Sequence, residues 1–262
     1  MNSNTLYIIG IGFSSDYLTL KSLNMIRKVK EVFIDGYTSV LLDDWRSLGA
    51  VLGRDCKVLY RRDIEELNAK MIFEALKKGD VALLVPGDAL IATTHINLVI
   101  EARKRGYNVE IVPGVSVVSA AMSLSGLMVY KFGKIATLTY PKDGIVYEYV
   151  YDVVKENMLR NLHTLLLLEI DVERGLFMSI REAIDTLFTL ENLRGEGVIS
   201  KENLAVGMSR LGGQDMKICS GSLQKLMEYD FGKPPHTLII TSPKLHFIEE
   251  EALVVINDIY CR

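Results

Sequence analysis

The chain has 262 residues, of which 49% are hydrophobic and 24% are charged, and it carries a formal net charge of −3. This length allows two domains of ordinary size with substantial cores, and the composition is that of a globular protein. Because the net charge is so small and no basic stripe occurs, we expect neither a nucleic-acid partner nor a membrane partner.

The first half of the chain alternates short apolar runs with segments of helical periodicity. The apolar runs predict strands at residues 6–9, 31–34, 57–60, 81–85 and 108–112. Helical spacing predicts helices at residues 17–29, 64–78, from Thr93 or Thr94 (as the capping residue) to Arg105, and 115–123. Sustained alternation of this kind predicts a mostly parallel sheet with helices on both faces and right-handed crossovers.

The second half mixes strands and helices with closer turns, which predicts a second α/β domain with a mixed sheet. We place the boundary near residues 128–134, which gives domains at 1–130 and 131–262. Strands are predicted at residues 134–140, 164–170, 204–209, 216–219 and 237–241. Helices are predicted at residues 146–162, 179–191, 222–229 and 249–256.

The cysteines and the first residues bear on the compartment. Cys56, Cys219 and Cys261 are odd in number, scattered, and form no CxxC pair, so we expect neither a disulfide framework nor a zinc site. The opening MNSNTLYIIGIG lacks the basic region and the long apolar region of a signal peptide. Both features fit a reducing cytoplasm.

Glycine-containing turns follow two of the predicted strands. GIGFSS at residues 10–15 is half of a dinucleotide-binding fingerprint, but Ser15 stands where the third glycine would fall, which weakens an NAD interpretation. Pro86-Gly87-Asp88 ends the run at 81–85 and brings a carboxylate to the strand's carboxyl edge, where open α/β sheets bind ligands. Asp88 is therefore either a ligand-binding residue, for a ribose hydroxyl, an amino group or a positive charge, or a solvated turn residue.

The histidines give little support to hydrolytic or metal-assisted chemistry. The chain has 4 of them, in no HExxH motif, no Ser/His/Asp signature and no metal-ligand spacing, so we expect no metal. His95 lies at a predicted helix start and is interpreted as structural. His236 follows Pro234-Pro235 directly before the last strand, and the fixed φ angles there favour a functional role.

A more selective pattern comes from segments spread along the chain in order. They are LYIIGIGF near the start, DGYTS at 35–39, LLVPGDALIATTH at 83–95, VYKFGK at 129–134, LHTLLLLEI at 162–170 and KPPHTLIITSPKLH at 233–246. Together they resemble the diphthine synthase family, in the tetrapyrrole methylase superfamily of S-adenosylmethionine-dependent methyltransferases. The resemblance implies a homodimer of two-domain α/β subunits, with S-adenosylmethionine in the cleft between the domains.

The resemblance also implies which positions serve the cofactor and the substrate. Cofactor contacts would come from Phe13, Asp88, Ile91, Ser116, Val117, Leu168, Leu211 and His236. The substrate side would be lined by Tyr37, Thr38, Thr94 and His95, and no catalytic residue or general base is assigned. The family's substrate is elongation factor 2, at a histidine extended by a 3-amino-3-carboxypropyl group, and methyl transfer to its amino nitrogen gives diphthine.

Alternatives remain at this point. A methyltransferase for a corrinoid or porphyrin precursor would share the fold and the cofactor pocket, although the YKFG and PPH segments argue against it. A noncatalytic α/β module would bind a nucleotide-like ligand without turnover. An oxidoreductase is already weakened by the missing third glycine.

Overall fold

The computed structural model describes residues 4–43, 45–142 and 144–261, with no account of the side chains of residues 45–47. The chain forms two compact units, which consist of Met1–Val117 with Asp171–Gly175, and of Val118–Ile170 with Leu176–Arg262. The domain limits predicted from the sequence, 1–130 and 131–262, remain a prediction. Along the described ranges, no helix has the length and apolar character needed to cross a membrane.

The first unit is built on a five-stranded sheet in which all the paired strands run parallel. Its strands are β1 (Thr5–Gly10), β2 (Glu31–Asp35), β3 (Lys57–Leu59), β4 (Val81–Val85) and β5 (Asn108–Val112). Their order is β3-β2-β4-β1-β5, so β4 has a neighbour on each side and every one of its residues is buried. The predicted strands and the parallel sheet are confirmed.

Helices cover both faces of this sheet because successive strand residues point to opposite sides. The helices of this unit are α1 (Leu20–Lys28), α2 (Trp45–Leu52), α3 (Lys70–Leu76) and α4 (Ile96–Lys104). Leu83 belongs to one apolar cluster with residues of α3 and α4, whereas the next residue, Leu84, packs into a second cluster with residues of α1 and α2. The sheet therefore lies between two separate apolar layers, and its ligand-accessible positions are its edges.

Local chemistry changes two of the predicted helices. The helix predicted at 17–29 begins only at Leu20, because Thr19 is extended and its hydroxyl accepts a hydrogen bond from Ser22 N. The helix predicted at 64–78 is interrupted, since Asn68 and Ala69 adopt left-handed φ angles of 50° and 51°. A π-helical turn at Arg62–Glu66 comes before that break, and α3 follows it.

The capping role predicted for Thr93 or Thr94 is wrong. α4 begins after His95, and no side chain caps it. Thr93 Oγ1 donates to Ala89 O at 2.9 Å, and Thr94 Oγ1 donates to Glu65 Oε1 at 2.9 Å. These hydroxyls are therefore committed to neighbouring segments. A helix was expected after the turn at 35–39, but no bounds were predicted for it, and the structure places α2 there.

The second unit contains a five-stranded mixed sheet, as predicted. Its elements are α5 (Val117–Leu124, beginning at the last residue of the first unit), β6 (Ala136–Leu138), α6 (Tyr149–Leu159), β7 (Thr164–Leu168), β8 (Ile170–Asp171), β9 (Leu176–Phe177), α7 (Ile180–Arg194), β10 (Leu204–Ser209), β11 (Lys217–Ser222), α8 (Leu223–Glu228), β12 (His236–Ile240) and α9 (Phe247–Tyr260). The order is β11-β10-β12-β7-β6, where only β6 and β7 are parallel neighbours. The strand predicted at 164–170 ends at Leu168, and β8 pairs with β9 as a separate two-stranded sheet.

The expectation that the cysteines stay unpaired is corrected by the structure. Cys219 in β11 and Cys261, just after α9, form a disulfide with their Cα atoms 4.6 Å apart. They are 42 residues apart in sequence, and only the packing of α9 on β11 brings them together. Spacing along the chain does not contain that information.

A buried carboxylate organises the start of α9. Glu249 is fully buried, and it accepts hydrogen bonds from Met128 N, His163 Nε2, Lys131 Nζ and His246 N. His163 is also fully buried, and its Nδ1 accepts a hydrogen bond from Ser242 N at 2.8 Å. Three of the segments that carried the family resemblance therefore meet at one structural network.

Acidification is expected to destabilise the second unit through this network. Burial lowers the pKa of His163 below its ordinary value of 6.5, so below that pH the unfolded chain binds a proton that the folded chain does not. Burial alone would raise the pKa of Glu249. The hydrogen bonds to its carboxylate have the larger effect and lower that pKa from 4.5 to about 2. Its stabilisation is therefore present above pH 4.5 and is lost as the pH falls toward 2.

Urea unfolding followed by circular dichroism at several pH values tests this expectation. The free energy of unfolding should fall in two stages, first below pH 6.5 and again below pH 4.5. The variant His163→Gln should be less stable at neutral pH and should lack the first stage. A wild-type stability that stays level from neutral pH down to pH 4.5 would contradict the assignment.

Candidate functional site

Four glycines at the carboxyl ends of β1, β4 and β5 bring the backbones of three loops into contact. Gly12 N donates to Gly87 O at 3.0 Å, and Gly87 N donates back to Gly12 O at 2.7 Å. A Cβ atom on Gly10 would lie 2.5 Å from Gly114 N, and one on Gly114 would lie 2.2 Å from Gly87 O. Only glycine permits this approach, so the loops form one closely joined backbone surface at the edge of the sheet.

Hydrogen bonds to Asp88 link two of these loops. Its Oδ1 accepts a hydrogen bond from Leu90 N at 3.0 Å, and its Oδ2 accepts one from Gly114 N, also at 3.0 Å. Asp88 is half-buried, so the structure does not support its interpretation as a solvated turn residue. A carboxylate has about four lone-pair positions, which leaves acceptor capacity for a ligand hydroxyl or amino group. Beside it, Gly87 has a φ of 75°, and a Cβ there would meet only open space.

The other residues predicted in the first unit lie on the same loops. Phe13 follows β1 and contacts the ring of Tyr17 edge-on at 5.1 Å between centroids. Ile91 follows β4 and is 45% exposed, directly before Ala92, whose φ of 57° is left-handed. Ser116 is buried in the loop after β5, and Val117 is the first residue of α5. The structure therefore brings all five predicted positions, these four and Asp88, to one edge of the first sheet.

The second unit brings its three predicted residues to one edge of its own sheet. Leu168 ends β7, His236 begins the antiparallel β12, and Ser209 at the end of β10 pairs with His236. Leu211 comes two residues after Ser209, directly behind Arg210. Arg210 has a φ of 48°, and left-handed non-glycine residues are concentrated at ligand sites.

His236 is held by its surroundings as a neutral ring. Its Nδ1 accepts a hydrogen bond from Ile180 N at 3.3 Å, which leaves Nε2 to donate to Lys233 O at 3.1 Å. Burial lowers the pKa of this imidazole, and the nearby carbonyl and carboxylate groups only partly oppose that effect. A neutral ring with both nitrogens occupied is suited to shape a binding surface rather than to exchange protons.

The residues predicted for the substrate side gather around two carboxylates that the sequence did not single out. Asp35, fully buried at the end of β2, accepts hydrogen bonds from Tyr37 N, Thr38 N and the Thr38 hydroxyl, and lies 2.8 Å from His95 Nε2. Glu65 Oε1 accepts from the Tyr37 hydroxyl at 3.1 Å. Burial, together with Asp35 and Glu65, raises the pKa of Tyr37, so its hydroxyl stays protonated.

One signal for this cluster was present in the sequence. An Asp followed by Gly-Tyr-Thr is typical of a turn in which the carboxylate accepts from the next backbone N–H groups. The partner of Asp35, His95, lies 60 residues further along, and Glu65 sits on a turn that periodicity assigned to a regular helix. Neither long-range contact can be derived from local patterning.

A cavity of about 400 Å³ adjoins this cluster in the first unit. Polar and apolar residues both line it, and they include Glu65, Asn68, Phe73, Thr94, His95 and Leu98. Asn68 and Ala69, whose backbone is left-handed, line the cavity together with Phe73 of α3 and Leu98 of α4.

Comparisons with known proteins agree over nearly the whole chain. The family model of tetrapyrrole (corrin/porphyrin) methylases matches residues 5–226. A diphthine synthase of Methanocaldococcus jannaschii is 39% identical over 252 residues, covering 95% of this chain and 97% of that protein. The diphthine synthase of Sulfurisphaera tokodaii is 36% identical over 250 residues, covering 95% and 97%. A crystal structure of diphthine synthase matches with a TM-score of 0.87 at 32% identity, covering 97% of this chain and 96% of that one.

These matches confirm the family that the separate sequence segments indicated. The two α/β units, one with a parallel sheet and one with a mixed sheet, also confirm the predicted fold class. The chain therefore belongs to the diphthine synthases within the tetrapyrrole methylase family, and it is a methyltransferase of diphthamide biosynthesis.

Proposed function

We propose that this chain transfers methyl groups from S-adenosylmethionine to elongation factor 2. The acceptor is the amino nitrogen of the 3-amino-3-carboxypropyl group on a histidine of that factor, and the product is diphthine. The observation that carries the proposal is the similarity to proteins named diphthine synthase over 95% of the chain.

The loops at the edge of the first sheet suit the cofactor. S-adenosylmethionine has a flat adenine, a ribose with two hydroxyls, and a sulfonium that supplies an electrophilic methyl group when bound. Gly87 leaves open space over its backbone, and Asp88 keeps acceptor positions for ribose hydroxyls or a positive charge. The proposed cofactor-binding residues are Phe13, Asp88, Ile91, Ser116, Val117, Leu168, Leu211 and His236.

The chain's contribution to the reaction is orientation. A neutral amine must meet the methyl carbon in line with the sulfonium, and good alignment is worth roughly 7 to 11 kcal/mol of the barrier. The hydrogen bonds of Asp88 fix the loop after β4 to the loop after β5, so one side of the proposed pocket is rigid before the cofactor binds. No metal is needed for this transfer.

The partners follow from the same proposal. Elongation factor 2 is the protein substrate, and its role in translation places the reaction in the cytoplasm. A homodimer is supported by α9, which exposes large apolar side chains such as Phe247, Val254 and Val255. A surface of that kind is typical of protein interfaces. We propose no nucleic-acid or membrane partner.

Transfer of labelled methyl tests the function. Elongation factor 2 would be prepared with and without the aminocarboxypropyl group, and label is expected only on the extended form. If the cofactor binds but neither form is labelled, the proposal fails and a corrin or porphyrin precursor becomes the acceptor to test. If no acceptor of either kind is labelled, the chain is a binding module.

Asp88→Ala is expected to weaken S-adenosylmethionine binding by about tenfold or more, because two backbone donors lose their acceptor and the pocket wall loosens. Isothermal titration calorimetry measures this directly. Asp80→Ala is the matched control, since Asp80 also accepts a backbone hydrogen bond, from Thr5 N at 2.7 Å, but at the opposite end of β4. A folded Asp88→Ala protein with unchanged affinity would remove Asp88 from the site.

A further inference from the structure

The chain contains two buried histidines that differ in one respect. His95 and His163 are both almost fully buried, and each places Nε2 against a carboxylate, at 2.8 Å and 2.9 Å. In His163 the second nitrogen, Nδ1, accepts a hydrogen bond from Ser242 N. In His95 that nitrogen is the single buried side-chain nitrogen or oxygen without a hydrogen-bond partner in the part of the chain described. Leaving a buried polar atom unpaired costs stability, so this nitrogen points to a function.

The surroundings of Asp35 determine which nitrogen of His95 carries the proton. Two backbone N–H groups and the Thr38 hydroxyl already donate to this carboxylate, so it acts as an acceptor only. His95 Nε2 must then be the donor in the 2.8 Å contact. With that proton on Nε2 and no hydrogen-bond partner at Nδ1, Nδ1 is the nitrogen at which the ring can accept a proton from a ligand.

The cavity beside His95 suits a cationic amine. Glu65 and Glu101 line it, while Phe73 and Leu98 supply apolar walls for an alkyl chain. The charged and titratable groups around the ring and the cavity are these two glutamates, Asp35, Tyr37 at 6.3 Å between ring centroids, Arg61 over the Tyr37 ring at 5.1 Å, and Arg105, which pairs with Glu101 at 2.8 Å. Carboxylates outnumber cations there, which favours an ammonium group over an anion.

This cluster lies next to the proposed cofactor loops within the same unit. β2 and β4 are parallel neighbours with Ile34 opposite Leu84, so Asp35 ends its strand beside the residue that precedes Pro86. His95 is on the loop that leaves Asp88 and leads into α4. A substrate amine at His95 is therefore close to the sheet edge where the methyl donor is proposed to bind.

We propose that His95 accepts the proton of the substrate's amino group before methyl transfer, with Asp35 as the residue that positions it. This inference rests on the proposed function and adds its general base. The ammonium N–H bond breaks, the proton goes to His95 Nδ1, and the electron pair stays on nitrogen. That pair then forms the bond to the methyl carbon. At the same time the carbon–sulfur bond breaks, and the electrons of that bond go to sulfur. Asp35 stabilises the imidazolium until solvent removes the proton.

The variant His95→Gln tests the proposal because the glutamine amide can still donate to Asp35 but has no basic nitrogen. We expect kcat to fall by about 10²- to 10⁴-fold, with unchanged affinity for S-adenosylmethionine. The remaining rate should rise with pH through the range where the wild-type rate is level, since free amine then comes only from solution. Asp35→Asn should also lower kcat and should shift the wild-type tautomer in the imidazole ¹⁵N spectrum.

His163→Gln is the matched control. It alters the other buried histidine–carboxylate pair, so it should lower stability while leaving kcat and the pH profile as in the wild type. A folded His95→Gln enzyme with wild-type kcat and pH profile would overturn the proposal and leave the proposed function intact. A wild-type enzyme that labels no extended elongation factor 2 would instead overturn the proposed function, and this inference with it.

A second measurement uses the wild-type protein, so it does not depend on whether a His95 variant folds. In wild-type protein with ¹⁵N-labelled imidazoles, the His95 Nδ1 signal should be that of an unprotonated nitrogen. It should shift when elongation factor 2 carrying the aminocarboxypropyl group is added. If the signal does not shift when this substrate is added, or if it is already that of a protonated Nδ1, the proposal would be overturned.

Discussion

Gly114→Ala is expected to lower the free energy of unfolding by about 3 kcal/mol and to abolish S-adenosylmethionine binding. The new Cβ would lie 2.2 Å from Gly87 O and 2.6 Å from the carbonyl carbon of Gly10. Both are backbone atoms of neighbouring strand ends, so no side chain can rotate away to relieve the overlap. The loops after β1, β4 and β5 would have to separate, and Gly114 N would leave Asp88.

Thermal unfolding and calorimetric titration of the cofactor measure the two effects together. Gly49→Ala is the control, because it makes the same chemical change in helix α2, where a Cβ would meet its nearest atom at an ordinary 3.5 Å. That variant is expected to keep its affinity and to gain up to about 1 kcal/mol of stability, since alanine is the better helix former. Normal stability and affinity in Gly114→Ala would show that these loops do not form the cofactor surface.

Asp88 and Gly114 show which part of the candidate site could be predicted from the sequence and which part could not. An apolar run that ends in Pro-Gly-Asp predicts a buried strand that delivers a carboxylate to the sheet edge, and β4 does this. That the carboxylate would be fastened to Gly114, 26 residues away, depends on how the strands are ordered in the sheet. Strand order is a long-range property that no local pattern reports.

The same limit applies to His95. Its position before an apolar helical segment favoured a structural interpretation. The hydrogen bond between Nε2 and Asp35 agrees with that interpretation for one of the two ring nitrogens. What gives the ring a chemical role is the unpartnered Nδ1 and the adjoining cavity. Asn68 and Ala69, which break a helix that periodicity predicted as continuous, are among the residues that line this cavity, so the periodic pattern gave no sign of it.

Glu249→Gln is expected to lower the free energy of unfolding by about 3–5 kcal/mol, the usual cost of breaking a buried ion pair from one side. Three of the segments that identify the family supply donors to this carboxylate, through Lys131, His163 and His246 N. A glutamine of the same shape turns one acceptor into a donor, so N–H groups face each other and the Lys131 ammonium loses its counter-charge.

Urea unfolding measures this loss, with Glu250→Gln as the control, because the adjacent residue of α9 is exposed and undergoes the same change. Once folded, Glu249→Gln should bind S-adenosylmethionine and transfer methyl groups like the wild type, because Glu249 belongs to a structural network of the second unit. An inactive but stable Glu249→Gln protein would reverse that assignment. The most family-specific segments of the sequence would then report the chemistry of the site rather than the architecture that supports it.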